Sequence, residues 1–296
     1  MPIQFRNYTK QPGITEDYHK VRAFFVKLGY AEFEYTRWDW MTTHRSLDKT
    51  SVGKIGLWED EGEIVGIATS DGELGMAFCL TLPEYTYLKK EILLYAKDNL
   101  SKDGEFGVFI RDNDLEFQDI AAGLGFIATQ DKEFDSFFYL DKTSTAYDLP
   151  DGFHITTMKE TFDLYQYRRV LSRGFNHGLN DEGELKFPEK EVQEAKNAMI
   201  RPNVDLNLKV AVVAPDGSFV SYCGMWYDKD AGFAVVEPVA TDPDYRKMGL
   251  GKAAVLEGIR RVGELGAKKA MVGSSKQFYY SIGFRPFSTS TLWKEK

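Results

Sequence analysis

The sequence predicts an α/β chain made of two similar domains in tandem, and three observations predict it. The second half runs through a fixed order of strands and helices, with a hairpin before a central strand-turn-helix unit. The first half repeats that order. Between them lies a stretch rich in Thr, Ser, Asp and Pro, about 141–152, which reads as a linker. A chain of 296 residues is also the length of about two domains. The expected division is 1–145 and 150–296.

The elements follow in order. In the first half, 5–8 is a strand and 16–28 a helix. Strands 55–59 and 63–69 form a hairpin around Asp60-Glu61-Gly62. Residues 73–80 make a strand, 88–100 a helix and 105–110 a strand. Helix 115–124 ends at Gly125-Phe126, and 134–140 is the last strand. In the second half, 154–158 is a strand and 161–171 a helix, followed by a Gly/Asn loop over 174–180. Residues 189–199 are a second helix. Strands 208–214 and 219–227 flank Pro215-Asp216-Gly217, a strong turn signal. Strand 233–241 leads through a glycine-bearing turn into helix 250–265. Its apolar Leu256, Ile259, Val262 and Leu265 mark a buried face, and Glu257, Arg260, Arg261 and Glu264 a wet one. Gly266 stands where a C-terminal cap belongs. Strand 269–273, a short aromatic helix near 278 and strand 290–294 close the domain.

Residues 242–251 read Asp-Pro-Asp-Tyr-Arg-Lys-Met-Gly-Leu-Gly and carry the most chemistry. A strand that ends in a glycine turn and opens a helix suits a phosphate. The first helical N–H groups lack intrahelical acceptors, and the helix dipole adds positive charge. Gly249 and Gly251 carry no side chain to block that backbone, and Arg246 and Lys252 can add charge. A Walker A loop is excluded, because Ala253 follows Gly251-Lys252 and Arg246 stands five before Gly251. A dinucleotide fingerprint is formally present as Gly249-Leu250-Gly251 with Ala254, but the next strand brings no acid for a ribose.

The arrangement Arg246-x-x-Gly249-x-Gly251, with Pro243 and Tyr245 before it, resembles motif A of the GNAT (Gcn5-related) N-acetyltransferase superfamily. A second segment, Phe278-Tyr279-Tyr280-Ser281-Ile282-Gly283-Phe284, resembles motif B of that family. The resemblance implies a mixed, mostly antiparallel central sheet flanked by helices in each domain. It implies acetyl-CoA as acetyl donor, with the pyrophosphate against Arg246, Lys247, Met248, Gly249, Leu250, Gly251 and Lys252. The pantetheine arm would pair with the backbone of Pro238, Val239 and Ala240. Tyr279, four residues before Gly283, takes the place of the tyrosine that protonates the departing thiolate; packing in a short aromatic helix is its plainer reading. Glu237 on the cofactor strand is the candidate base, and an exposed or ion-paired carboxylate is equally compatible. Many members carry an Asn after the strand at 269–273. Here the loop is Ser274-Ser275-Lys276-Gln277, and Ser274 or Ser275 would have to replace that contact.

The first half departs from this pattern where the chemistry lies. Pro83-Glu84-Tyr85 aligns with Pro243-Asp244-Tyr245, but Thr86, Lys89 and Glu91 replace Arg246, Gly249 and Gly251. Ala121 stands where the second half has Tyr279. The expectation is a tandem GNAT with one live domain and one degenerate domain lacking the cofactor loop.

Composition narrows the rest. Hydrophobic residues make up 43% and charged residues 28%, ordinary for a globular protein, and the net charge is −8. The acidic balance disfavours nucleic acid and is compatible with a cationic substrate such as an amine. Cys79 and Cys223 lie far apart in apolar runs, so no disulfide framework and no metal are expected. No apolar run approaches eighteen residues and no signal peptide is read, so a cytoplasmic protein off the membrane is expected. The leading expectation is an acetyl-CoA-dependent N-acetyltransferase acting on a primary amine of a small molecule or peptide. A non-catalytic acyl-CoA sensor or scaffold, or an acyltransferase with another donor or acceptor, is the alternative. His177, Trp226 and Tyr227 lie near the expected cleft as exposed or packing residues. Trp38 and Trp40 in the first half suit a domain interface or one side of the cleft, and the rich aromatic content would permit a homodimer.

Overall fold

The structure, a computed structural model, describes residues 2–11, 13–42, 47, 51–177 and 187–296. It divides into two compact units. Unit 1 comprises Met1–Asp135 and Pro286–Lys296, and unit 2 comprises Ser136–Arg285. Each is a mixed, mostly antiparallel sheet with helices packed on it.

Unit 1 begins with β1 (Gln4–Asn7), α1 (Glu16–Leu28) and α2 (Tyr35–Met41). It continues with β2 (Gly56–Asp60), β3 (Glu63–Thr69), β4 (Met76–Thr81) and α3 (Lys89–Leu100). Then come β5 (Gly107–Arg111), α4 (Leu115–Gly123) and β6 (Phe126–Tyr139). Thr15 caps α1 by accepting from the Tyr18 N–H at 3.2 Å. The β2–β3 hairpin turns on Glu61 and Gly62, with φ of 50° and 86°. Two successive positive φ values match the right-handed twist of the flanking strands. Helix α2 has no counterpart in the sequence reading. Tyr35, Thr36, Trp38, Asp39 and Met41 are all buried and the exposed position is an apolar Trp40, so it shows no amphipathic stripe. Its start is fixed instead by Glu34, whose carboxylate accepts from the N–H groups of Thr36 and Arg37.

Unit 2 holds β7 (His154–Thr157), α5 (Leu164–Gly174), α6 (Glu189–Met199), β8 (Lys209–Val213) and β9 (Phe219–Tyr227). It goes on with β10 (Ala234–Thr241), α7 (Leu250–Glu264), β11 (Lys269–Val272) and α8 (Gln277–Ser281); the last strand, β12 (Arg285–Glu295), begins here. Its strand order is β6-β11-β10-β9-β8-β7, with β10 and β11 parallel. Helix α5 starts three residues later than expected because Asp163 caps it, accepting from Gln166 N–H at 2.9 Å. Of the expected loop 174–180, residues 178–180 lie outside the described residues.

Helix α7 lays Leu250, Ala254, Val255, Ile259 and Val262 against Cys223, Met225 and Val236. Two of its residues differ from the amphipathic expectation. Leu265 is 54% exposed because the helix ends at Glu264. Glu257 is buried, accepting from Arg260 and Arg261 and from the Tyr147 hydroxyl at 3.0 Å. That network holds its carboxyl below the ordinary range against the opposing effect of burial, which is the larger single influence.

The ends of the units depart from a simple division at 145/150. Ser136–Tyr139 of β6 pair with Val272–Lys269 of β11, inside unit 2. Ser290–Lys294 of β12, expected to close the second domain, instead pair antiparallel with Arg111–Gly107 of β5, inside unit 1. Hydrophobic alternation says that a segment is a strand; it does not say which sheet receives it.

Candidate functional site

The site is built on β10 and the start of α7. β10 pairs with β9 through Val236↔Met225 and resumes at Val239↔Cys223. Glu237 and Pro238 therefore bulge opposite Gly224, across a cis peptide bond. A Cβ on Gly224 would stand 2.4 Å from the Glu237 carbonyl oxygen, so only glycine fits there. The Trp226 indole N–H donates to that oxygen at 2.9 Å and holds the bulge. On its other side β10 pairs with β11 only at Ala234↔Ala270 and Val235↔Met271. Beyond Val235 the backbone of β10 has left its parallel neighbour, which is the condition for receiving an extended ligand as an added strand.

The turn after β10 ends at an open helix terminus. Lys247 and Gly249 have φ of 66° and 82°. Gly249 is the N-cap, no side chain caps it, and the first N–H returned to the helix is Ala253 to the Gly249 carbonyl at 3.0 Å. The N–H groups of Leu250, Gly251 and Lys252 thus have no acceptor among the described residues. The two glycines differ in purpose. A Cβ on Gly249 would meet nothing within 4 Å, so this position is open and its constraint is φ. A Cβ on Gly251 would stand 2.9 Å from Thr241 Oγ1 and 3.4 Å from the Phe278 ring, so Gly251 lets α7 approach β10 and α8.

Arg246 engages the turn itself through Nε and one terminal nitrogen. Its guanidinium donates to the Thr241 carbonyl at 3.3 Å, the Gly174 carbonyl at 2.9 Å and Asn176 Oδ1 at 3.3 Å, tying the end of α5 to the turn. Lys247 and Lys252 are exposed beside the open N–H groups, with no ion pair among the described residues. Met248 is exposed and Leu250 is core. Beneath the turn, fully buried Asp242 accepts from Arg173 Nε at 2.5 Å, and Arg169 stands 3.3 Å away. This pairing raises the Arg173 guanidinium further above its ordinary value.

Tyr279 lies on α8, half-buried against the unit 2 core. Its ring stands 5.5 Å from Phe284, and its hydroxyl has no hydrogen-bond partner among the described residues. Burial pushes that hydroxyl well above the ordinary tyrosine value, and the neighbouring Cys223 and Glu237 add to the shift. The structure therefore brings Tyr279 within electrostatic reach of Glu237, which is exposed on the bulge. Burial likewise pushes the Cys223 thiol up to about 12, leaving it an inert apolar group at neutral pH. Ser274 spends its hydroxyl accepting from Lys276 N–H at 3.2 Å, and its carbonyl accepts from Ser136 at 2.9 Å.

Two residues near this chemistry were missed in the sequence. Tyr167 of α5 packs edge-on against Tyr222 of β9 at 5.0 Å, and Glu237 also acts on its hydroxyl, which burial pushes up to about 12. The sequence reading of 161–171 gave only a helix, with no sign that one of its tyrosines looks toward the central strands.

Unit 1 lacks an equivalent opening. Leu88 and Lys89 have ordinary helical φ of −80° and −49°, and a 3₁₀ turn over Pro83–Leu88 runs straight into α3. Lys89 donates to Asp114 at 2.8 Å and Glu116 at 3.0 Å, and Glu91 accepts from the Trp58 indole at 2.7 Å. Ala121 is buried.

The bulged parallel strand, glycine-entered helix and aromatic helix define an acetyltransferase fold of the GNAT class. Residues 175–284 match the family model described as Acetyltransferase (GNAT) family. Its fold is that of the tandem members. It is similar to a tandem GNAT protein from the clavulanic acid biosynthesis pathway, with 13% identity and a TM-score of 0.64, covering 99% of this chain and 98% of that one. An acetyltransferase from the GNAT family of Colwellia psychrerythraea has 12% identity and a TM-score of 0.60, covering 100% of both chains. A GCN5-related N-acetyltransferase from Sphaerobacter thermophilus has 14% identity and a TM-score of 0.59, covering 99% of this chain and 95% of that one. No curated protein matches the chain in sequence.

Proposed function

We propose that unit 2 is an acetyl-CoA-dependent N-acetyltransferase that acetylates a primary amine of a small molecule or peptide by direct attack. The observation that carries this reading is the uncapped start of α7 at Gly249, set beside a bulged strand that has left its neighbour. The open N–H groups of Leu250, Gly251 and Lys252, with Lys247 and Lys252, would take the pyrophosphate. The backbone of Pro238, Val239 and Ala240 would take the pantetheine arm. A backbone N–H of Val239 or Ala240 would then polarise the thioester carbonyl.

The amine nitrogen attacks that carbonyl after its proton passes to Glu237, directly or through water. Collapse of the tetrahedral intermediate breaks the carbon–sulfur bond, and Tyr279 gives its proton to the leaving thiolate. The raised Tyr279 hydroxyl remains protonated at neutral pH, as an acid must be before the step. Unit 1, with its turn filled by Lys89 and Glu91, is read as binding no coenzyme A.

Incubating the full chain with acetyl-CoA, a thiol-detecting reagent and a panel of amines tests the reading. Coenzyme A release that requires an amine supports it. Tight acetyl-CoA binding without turnover on any amine, unchanged in Tyr279→Phe, would instead make the chain an acyl-CoA sensor.

A further inference from the structure

Unit 1 carries a constellation that acetyl transfer does not use. Arg37 of α2 donates Nε to Asp71 Oδ2 at 2.8 Å and its terminal nitrogens to Glu133 at 3.0 and 3.1 Å. Its guanidinium stands 4.6 Å from the Phe78 ring centroid and 5.5 Å from that of Phe33. Arg111 donates Nε to Glu32 Oε1 at 3.1 Å, and the Tyr30 hydroxyl donates to Asp135 Oδ2 at 2.6 Å. Arg37 also donates to the Glu32 carbonyl at 3.2 Å, so Glu32, Asp71 and Glu133 gather round one guanidinium.

Four carboxylates thus face two guanidiniums. Two acceptor atoms are left over. Glu32 Oε2 and Asp71 Oδ1 are buried and accept no hydrogen bond among the described residues. The Glu32 side chain is only 5% exposed. A buried carboxylate oxygen without a donor is costly, and a fold keeps one only where something supplies the donor.

We propose that unit 1 binds a small organic cation of the alkylammonium class, whose N–H groups satisfy Glu32 Oε2 and Asp71 Oδ1. The orphan oxygens lie on two different carboxylates, which suits the rotatable donors of an ammonium better than the planar fork of a guanidinium. No set of His, Cys, Asp or Glu among the described residues has the geometry to hold a metal ion. Phe33 and Phe78 are already covered by Arg37, so recognition of the cation rests on the carboxylates. The excess of two negative charges favours a diamine.

The test is calorimetric titration of the full chain with 1,5-diaminopentane at constant ionic strength. One diamine per chain is expected. Glu32→Gln, which keeps an acceptor for Arg111, should weaken binding at least tenfold, and Asp71→Asn should do the same independently. Acetyl-CoA affinity should change less than twofold in either variant. Absence of binding at millimolar diamine, undiminished binding in both variants, or equal binding of potassium at matched charge would overturn the proposal. The inference stands apart from acetyl transfer, so its failure would leave the reading of unit 2 untouched.

Discussion

Gly249 combines a φ of 82° with open space where a side chain would go, so substitution there alters the turn without disturbing a core. A glutamate would bring left-handed backbone strain of roughly 1–2 kcal/mol and set a negative charge at the helix N-terminus proposed to hold a diphosphate. Gly249→Glu should therefore weaken coenzyme A binding about tenfold or more, measured by calorimetry, while the strain lowers the melting temperature by only a few degrees. Coenzyme affinity equal to that of the parent would remove the basis of the whole functional reading. Tyr279 makes a separate claim. Tyr279→Phe keeps the ring against Phe284 and deletes only the hydroxyl, so kcat should fall by about 10²-fold while KM for acetyl-CoA moves little. A kcat within twofold of the parent would show that another group, or water, protonates the thiolate. Because its hydroxyl is raised rather than lowered, Tyr279 stays protonated as pH rises, and the rate should climb with pH through neutrality without an early alkaline fall.

The strand-turn-helix around residues 233–265 was legible in the sequence because its signals are local. β-branched residues, a Pro-Asp turn, two glycines and an apolar stripe each act within a few residues. α2 was not legible, because a helix buried on most of its faces has no period to read. Its stability depends on Glu34, a cap whose carboxyl burial pushes up to about 7 despite the Thr36 and Arg37 donors. The sign follows from linkage. Unfolded, this carboxyl titrates near the ordinary glutamate value of 4.5, so between there and about 7 the folded chain holds more protons than the unfolded one. Its contribution to stability is present at low pH and lost as pH rises through that window. The melting temperature should fall between pH 5 and pH 8, and part of that fall should vanish in Glu34→Gln. If the variant and the parent lose stability in parallel across this range, Glu34 is not the group responsible. The arrangement of Arg246 was likewise hidden from sequence. An arginine beside a phosphate turn reads as a ligand, but the Thr241 carbonyl of β10, the Gly174 carbonyl at the end of α5 and Asn176 Oδ1 offer it three acceptors that only the folded chain assembles.

At the scale of the chain, the most consequential departure from the sequence reading is the destination of the last strand. Ser290–Lys294 complete the unit 1 sheet beside β5, although they follow the whole of unit 2 in sequence. Leu292 is buried there, and its Cδ1 lies 2.9 Å from where a Cβ on Gly107 would stand, so strand and partner fit without room to spare. Removing 286–296 would strip five paired rows from β5 and expose Leu292's site, a loss on the order of 3 kcal/mol from that side chain's burial alone. A chain ending at residue 285 should therefore lose hydrogen-exchange protection at 107–111 while its coenzyme A affinity stays within about threefold. For the same reason, a fragment ending near residue 145 lacks a strand of its own sheet, and its failure to bind coenzyme A would not by itself report on the filled turn at Lys89 and Glu91. The discriminating measurement is on the 1–285 chain. If β5 amides remain protected there, the strand is dispensable to unit 1 and the division at 145/150 describes the folding units after all. If protection is lost while coenzyme binding persists, the site in unit 2 is independent of a strand that unit 1 cannot do without.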